Sequence, residues 1–299
     1  MPWQPEVDSA PPTLRRGIVM TLWGKQAFRK LVLEPGQVLT FGRGDRANVV
    51  IDDPTVSPLH FQIWFSGRRL EVRDLASQSG TFINGQEAPR GLVEHGGFIV
   101  AGGTTFQLFL EGFTPPTDEP IAPPRLARVE RANAAIGSTD RLYAVMDAAR
   151  NDRVRQLLCE SVDEHQNLYE GLPGRVLDEV APYLVRFVAG SELLDRLLRG
   201  GWGEAWGFYF NSSEHPREVR RHLRRFLMVK DDETLERLYF RYYDPRVLRE
   251  FLPTANERQL GDLFAGFDRM VYEGADGEPT VVNAGTFGVK RGAAPRSEP

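Results

Sequence analysis

Five prolines within ten residues separate two parts of this chain that have different hydrophobic periods. The prolines lie between Pro115 and Pro124, in a run that begins at Thr114. Proline lacks a backbone N–H and clashes with a preceding helical turn, so the run predicts neither a helix nor a paired strand. Such a segment is typical of a semi-rigid spacer. We therefore expect a linker over 113–139 between a domain at 14–112 and a domain at 140–282, with a flexible tail over 283–299.

Before the linker, the dominant hydrophobic period is two, the period of a strand with one buried face. Phe61, Ile63 and Phe65 stand at alternate positions of one such run. Turn signals such as Asn84-Gly85 and Gly102-Gly103 separate the runs. Many short strands without a helical pattern predict an all-β sandwich.

After the linker, helical spacing alternates with short apolar runs. Helices are predicted at Arg153–Cys159, Gly190–Leu198, His215–Met228, Pro245–Leu252 and Glu257–Phe267, and strands at Leu142–Met146, Tyr183–Val188, Trp206–Phe210 and Leu238–Tyr242. Asp244 is a good N-cap residue and Pro245 suits the first helical position. The alternation predicts an α/β domain of short strands and packed helices, so we expect a multidomain protein.

Charge and cysteine content exclude several classes of protein. Lys and Arg total 37 and Asp and Glu total 41, a net charge of −4, which excludes nucleic-acid binding through overall basicity. The only cysteine, Cys159, cannot form an intramolecular disulfide and indicates a reducing compartment. Residues 1–6 lack the regions of a signal peptide, and no apolar run approaches the roughly 18 residues that span a bilayer. We expect a cytoplasmic protein without membrane insertion.

Three loop motifs of the first domain occur in the order and spacing of a known family. They are Gly42-Arg43, Ser57-Pro58-Leu59-His60 and Gly80-Thr81-Phe82-Ile83-Asn84-Gly85. The region at about 14–112 resembles the forkhead-associated (FHA) domain, a reader of phosphothreonine peptides. The resemblance implies phosphate contacts from Arg43 and Ser57, and a scaffold role for Gly42 and His60. The phosphopeptide-binding residues that it implies are Arg43, Ser57, Pro58, Ser79, Gly80, Thr81 and Asn84.

The chemistry of phosphothreonine suits such a set of residues. The phosphate brings nearly two negative charges and three acceptor oxygens, which an arginine fork and a hydroxyl on rigid loops can satisfy. Two positions depart from the family: Pro58 stands where arginine is frequent, and Ser79 stands where asparagine is frequent. Phosphate-independent docking of a protein on the same loops is the alternative interpretation.

No residue pattern in the second domain predicts catalysis. Cys159 lies beside two leucines in a helical run, where a buried and unreactive thiol is expected. His215 and His222 lack the spacing of metal ligands, and the glycine-rich run 200–207 is neither a Walker A loop nor a dinucleotide fingerprint. We expect no enzyme, cofactor or metal site.

Two features of the second domain are candidates for docking a partner. Trp202 and Trp206 are expected to be core or interface anchors. Between 217 and 229, arginines form two rows beside an apolar helical stripe, which predicts either a solvated face or a surface for an acidic partner. The candidate docking residues are Trp202, Trp206, Arg217, Arg221, Arg224 and Arg225.

Five ordered motifs in the second domain carry another resemblance. They are Leu142–Arg150, Ala181–Val185, Trp202–Gly207, His222–Phe226 and Tyr242–Leu248. The region at about 141–281 looks like the type VI secretion adaptor family. The resemblance implies a non-enzymatic chaperone that binds a toxic effector protein in the cytoplasm and helps load it on the VgrG spike protein.

Together, the two resemblances predict an adaptor whose FHA domain recruits a threonine-phosphorylated protein, and the kinase of that protein is expected as a further partner. The alternative is an FHA-based kinase-signalling scaffold in which the α/β half is an output platform.

Overall fold

A computed structural model describes residues 15–25, 29–115, 121–138, 140–169, 179–230 and 236–283. The chain divides into two compact units, Met1–Phe113 and Thr114–Pro299. Their boundary falls at the start of the proline-rich run. The predicted multidomain architecture, a β-sandwich followed by a domain of helices and short strands, is confirmed.

The first unit is built from short strands, as the period of two predicts. They are β1 (Gly17–Trp23), β2 (Lys30–Leu33), β3 (Val38–Gly42), β4 (Val49–Val50), β5 (Phe61–Phe65), β6 (Leu70–Asp74), β7 (Thr81–Ile83), β8 (Gln86–Glu87), β9 (Arg90–Val93), β10 (Phe98–Ala101) and β11 (Thr104–Leu110). One sheet has the order β2-β1-β11-β10-β7-β8, and the other has the order β4-β3-β5-β6-β9.

The core between these two sheets fixes the base of two loops. Phe41, in β3, and Phe61, in β5, are opposite each other in register and stack with ring centroids 4.7 Å apart. Phe106 of the other sheet packs edge-on against Phe41. One loop begins directly after Phe41 and another ends directly before Phe61. Because both residues are held by packing in the core, the ends of the two loops are rigid.

The second unit contains six helices and eight strands within the described residues. The helices are α1 (Pro123–Ile136), α2 (Asp152–Cys159), α3 (Leu193–Gly201), α4 (Pro216–Arg224), α5 (Pro245–Thr254) and α6 (Glu257–Leu263). The strands are β12 (Leu142–Asp147), β13 (Glu164–Asn167), β14 (Pro182–Arg186), β15 (Gly207–Asn211), β16 (Met228–Lys230), β17 (Arg237–Tyr239), β18 (Arg269–Glu273) and β19 (Pro279–Asn283).

Six of these strands form one sheet in the order β13-β14-β12-β15-β18-β19, and every pair in it is antiparallel. Side chains of β12 alternate between its faces. Ala144 and Met146 join a core with α1, α2 and α3, whereas Tyr143 and Val145 join a core with α4, α5 and α6. The unit is therefore a helix–sheet–helix sandwich around an antiparallel sheet.

The predicted linker at 113–139 is wrong over much of its length, because α1 occupies 123–136. Pro123 and Pro124 lie in the first turn of α1, where a missing N–H removes no helical hydrogen bond. Val129, Ala132 and Ile136 of α1 are buried in the core of the second unit. Residues 116–120, and the predicted tail from 284 onward, lie outside the described residues.

Other boundaries shift where strands pair. The helix predicted over His215–Met228 ends at Arg224, since Met228 starts β16 and pairs with Tyr239 of β17. Sequence reasoning did not predict β13, β16, β18 or β19. The predicted cap of α5 is confirmed: the Asp244 side chain accepts a hydrogen bond from Arg246 N, and Pro245 follows it.

Candidate functional site

Three loops of the first unit meet at one end of the sandwich. Arg43 follows β3, Ser57 precedes β5, and Gly80 precedes β7. Arg43 N donates a hydrogen bond to Ser57 O at 3.0 Å, and Gly44 N donates one to Pro58 O at 3.1 Å. The first two loops are therefore joined through their backbones.

His60 joins the third loop to the second. Its side chain is fully buried. Nδ1 accepts a hydrogen bond from Ser57 N at 3.0 Å, and Nε2 donates one to Gly80 O at 3.0 Å. These two bonds require a neutral ring protonated on Nε2. His60 thus has the geometry of a scaffold residue rather than of a peptide contact.

Ser57 presents its hydroxyl where the loops meet. The residue is 6% exposed, and its Oγ accepts a hydrogen bond from Gln78 N at 2.9 Å. Because that bond uses an oxygen lone pair, the hydroxyl hydrogen is left to donate to a ligand.

The guanidinium of Arg43 carries an uncompensated charge. The side chain is exposed and makes no hydrogen bond or ion pair with another residue in the described part of the chain. Its backbone is fixed by the close approach of the first two loops, since a Cβ on Gly42 would lie 2.2 Å from Pro58 O. A free positive fork on a rigid backbone is suited to a doubly charged oxyanion.

Three further candidates border this group. Gly80 has φ +71°, and a Cβ there would lie 2.5 Å from Glu87 Oε1, so the turn requires glycine. The Ser79 hydroxyl donates to Thr55 O at 3.2 Å, which ties its short side chain to the neighbouring loop. Pro58 is exposed beside Ser57 and has no side-chain donor for a phosphate.

Thr81 and Asn84 do not join the group through their side chains. The Thr81 hydroxyl is buried and donates to Asp74 Oδ1 at 2.6 Å. Asn84 lies at the opposite end of β7, where its Oδ1 accepts from Phe98 N at 2.9 Å within a hairpin turn. Both side chains stabilise the sandwich, in contrast to their expected peptide contacts.

Of the two roles expected for Trp202 and Trp206, core or interface, the structure shows the core role, which argues against their use as docking residues. Trp202 is 3% exposed and donates from Nε1 to Gly277 O at 2.8 Å. Trp206 is 5% exposed, and its indole packs against Gly200 and Gly201 of α3. Both belong to the core beneath α1, α2 and α3.

The arginine candidates remain at the surface, on and just after α4. Arg217, Arg221 and Arg225 are exposed, and Arg224 is half-buried. Arg221 pairs with Glu218, and Arg225 donates to His222 Nδ1 at 2.8 Å. His222 in turn donates from Nε2 to Leu263 O at 2.8 Å, and burial lowers the pKa of this histidine. Both histidines that the sequence analysis considered as metal ligands therefore have structural roles. His222 holds Leu263, and His215 is the N-cap of α4.

Two family models match the chain. Residues 39–102 match the FHA domain, and residues 142–262 match the domain of unknown function DUF4123. The chain contains an FHA domain followed by a DUF4123 domain. FHA domains are phosphopeptide-binding modules, and DUF4123 is known from type VI effector adaptors. The three loops described above belong to the FHA domain, and the arginines of α4 belong to the DUF4123 domain.

Solved structures similar to the chain include other FHA domains. That of the CT664 protein from Chlamydia trachomatis is 21% identical and covers 31% of this chain and 96% of its own, with a TM-score of 0.30. That of an Arabidopsis thaliana hypothetical protein is 22% identical and covers 38% and 100%, with a TM-score of 0.32. Mycobacterium tuberculosis EmbR in complex with a low affinity phosphopeptide is 19% identical and covers 34% and 26%, with a TM-score of 0.30. None of the curated proteins matches the chain.

Sequence reasoning missed two carboxylates that hold the FHA loops. Asp74 accepts hydrogen bonds from Ser77 N, Ser77 Oγ and Thr81 Oγ1. Burial opposes ionisation of Asp74, but these bonds keep its pKa below the ordinary value. Asp53 likewise accepts bonds from Thr55 and Thr104. The signal was local, since Asp followed two or three residues later by Thr or Ser favours such turns.

The cysteine of the DUF4123 domain lies in the core. Cys159 is buried beside the leucines of α2. The described part of the chain holds no cluster of three or more His, Cys, Asp or Glu residues that could bind a metal ion. Among the described helices, none is long and apolar enough to cross a bilayer.

Proposed function

We propose that this protein is a non-enzymatic adaptor. Its FHA domain recruits a threonine-phosphorylated protein through Arg43, Ser57 and the Gly80 turn. Its DUF4123 domain binds a type VI effector and helps to load it on the VgrG spike protein. The kinase that phosphorylates the recruited protein is a further partner.

The observation that supports phosphate recognition is the exposed guanidinium of Arg43 on a loop whose backbone is hydrogen-bonded to Ser57. An arginine fork and one hydroxyl donor can satisfy the three oxygens of a phosphate with charge-assisted hydrogen bonds. The loops are fixed before binding by His60, so little ordering entropy opposes the interaction. Since Pro58 supplies no donor, Arg43 has to provide most of the charge stabilisation in this site.

Phosphate recognition is tested by titrating the full chain with a degenerate phosphothreonine peptide library and with its unphosphorylated twin. We expect binding of the phosphorylated library alone. Equal binding of both libraries would instead favour phosphate-independent docking on the same loops.

The adaptor role is supported by the DUF4123 match and by the structural roles of the second unit's cysteine and histidines. Its test is a pull-down in which the full chain is presented with the effector and spike proteins encoded beside its gene. We expect recovery of an effector, and failure to recover effector or spike protein would refute the role. A shortened version should start at Thr114 rather than at residue 140, because α1 completes the core.

A further inference from the structure

Helix α4 presents a face of arginines on the side opposite to its buried stripe. Val219 and Leu223, one turn apart, are buried in the core of the DUF4123 domain. Arg217 and Arg221 lie on the far side of the helix and are exposed, and exposed Arg225 follows at its C-cap. At 3.6 residues per turn, these arginines lie along one row, about 6 Å apart.

The charge of this row is only partly compensated. Within 216–225 there are five arginines and a single acidic residue, Glu218, which pairs with Arg221. Arg220 is engaged elsewhere, since it donates to Asn167 O. The Arg217 side chain makes no hydrogen bond or ion pair within the described residues. This row of positive charge contrasts with the rest of the second unit, since residues 113–299 carry 26 basic and 30 acidic side chains and are net negative.

The chain continues from α4 into a strand pair with exposed apolar side chains. β16 and β17 pair with each other and, within the described residues, with no other strand. Met228 is 49% exposed, Leu238 is 46% exposed and Tyr239 is 44% exposed. Because Met228 lies opposite Tyr239 in the register, these two exposed side chains share one face of the strand pair. Exposed large apolar side chains that lie close together are typical of a protein-binding surface.

We propose that Arg217, Arg221, Arg225 and Met228, here called the basic ribbon surface, dock a segment of a protein partner in which apolar residues are flanked by Asp or Glu. Arginines confer the preference for acidic side chains, and exposed Met228 contacts the apolar residues between them. The proposal rests on the adaptor function, because it names the chemistry of the segment that the DUF4123 domain holds.

A protein segment fits this surface better than a nucleic acid does. A nucleic acid requires an extended basic footprint, whereas this one is confined to a single helix in an acidic unit. An exposed Met side chain contributes nothing to the binding of a phosphate backbone.

The test is selection of peptides from a random, unphosphorylated display library on the full chain. We expect the recovered peptides to be enriched in Asp and Glu beside Leu, Ile or Phe. The double variant Arg217→Glu and Arg221→Glu should abolish the acidic enrichment and weaken the best peptide at least about tenfold in fluorescence anisotropy. The matched control, Arg199→Glu with Arg258→Glu, removes two exposed arginines on α3 and α6 and should leave the affinity unchanged.

One further variant separates the apolar from the electrostatic part. Met228→Ser should weaken binding of the same peptide without changing the dependence of that binding on salt. The proposal is overturned if no acidic peptides are recovered, or if the two double charge variants behave alike. Recovery of the effector in the pull-down together with either result would refute this surface and leave the adaptor function standing.

Discussion

Replacing His60 by alanine should uncouple the three FHA loops. The substitution leaves Ser57 N without its partner in a buried site and Gly80 O without its partner in a part-buried one. A buried backbone group that loses its hydrogen bond costs about 1–3 kcal/mol, a penalty that applies in full to Ser57 N and in part to Gly80 O. Loss of the ring adds a cavity term. We expect the free energy of opening of the FHA domain to fall by at least about 3 kcal/mol, or a hundredfold in the opening constant.

Native-state hydrogen exchange followed by mass spectrometry measures this effect, because it separates the FHA peptides from those of the DUF4123 domain. The matched control is His95→Ala. His95 is half-buried in the same domain, and its Nδ1 accepts a hydrogen bond from Leu110 N. Water can replace that hydrogen bond, so His95→Ala should lower the free energy of opening of the FHA domain by about 1 kcal/mol. If His60→Ala costs no more than the control, the scaffold role of His60 is refuted.

Two other predictions concern the cores and the carboxylates. Trp202→Ala removes a large side chain from the core and should lower the free energy of unfolding of the DUF4123 domain, measured in urea, by about 3–5 kcal/mol. The affinity of the folded variant for its protein partner should be unchanged. Loss of this affinity without loss of stability would contradict the core assignment. Hydrogen bonds hold the pKa of Asp74 below its ordinary value of 3.8 in the folded domain, so the ionised side chain stabilises the FHA domain above pH 3.8. This stabilisation is lost as the pH falls through the pKa of the folded state. Asp74→Asn should therefore reduce the dependence of the unfolding free energy on pH in the acid range, and an unchanged dependence would refute the contribution.

The FHA loops could be predicted because their motifs contain residues that the local backbone conformation requires. Gly42 is required by the approach of Pro58 O, and Gly80 by a positive φ. Each of these backbone constraints restricts the residue type at a fixed position in the chain. The resemblance to the FHA domain, carried by these motifs and their spacing, therefore located Arg43, Ser57 and His60 in loops that the structure brings together.

Other features depend on tertiary contacts that a sequence pattern does not contain. Trp202 and Trp206 lie in a glycine-rich run that is compatible with either a core or an interface, and only the packing of α3 decides between them. Helix α1 was missed because prolines that disrupt a helix interior are harmless in its first turn. The shortening of α4 follows from strand pairing across 228–239, a contact between separate segments.

The most direct measurement of the central claim compares Arg43→Ala with Arg46→Ala in the full chain. Both residues are exposed in the loop after β3 and carry the same charge, so the pair separates a phosphate contact from a general effect of charge. Charge-assisted hydrogen bonds contribute about 1.5–3 kcal/mol each. For a phosphothreonine peptide selected from the library, calorimetry should show Arg43→Ala weakening the affinity by at least about tenfold and Arg46→Ala by much less. Equal losses in the two variants, or no loss in either, would contradict phosphate reading by this FHA domain.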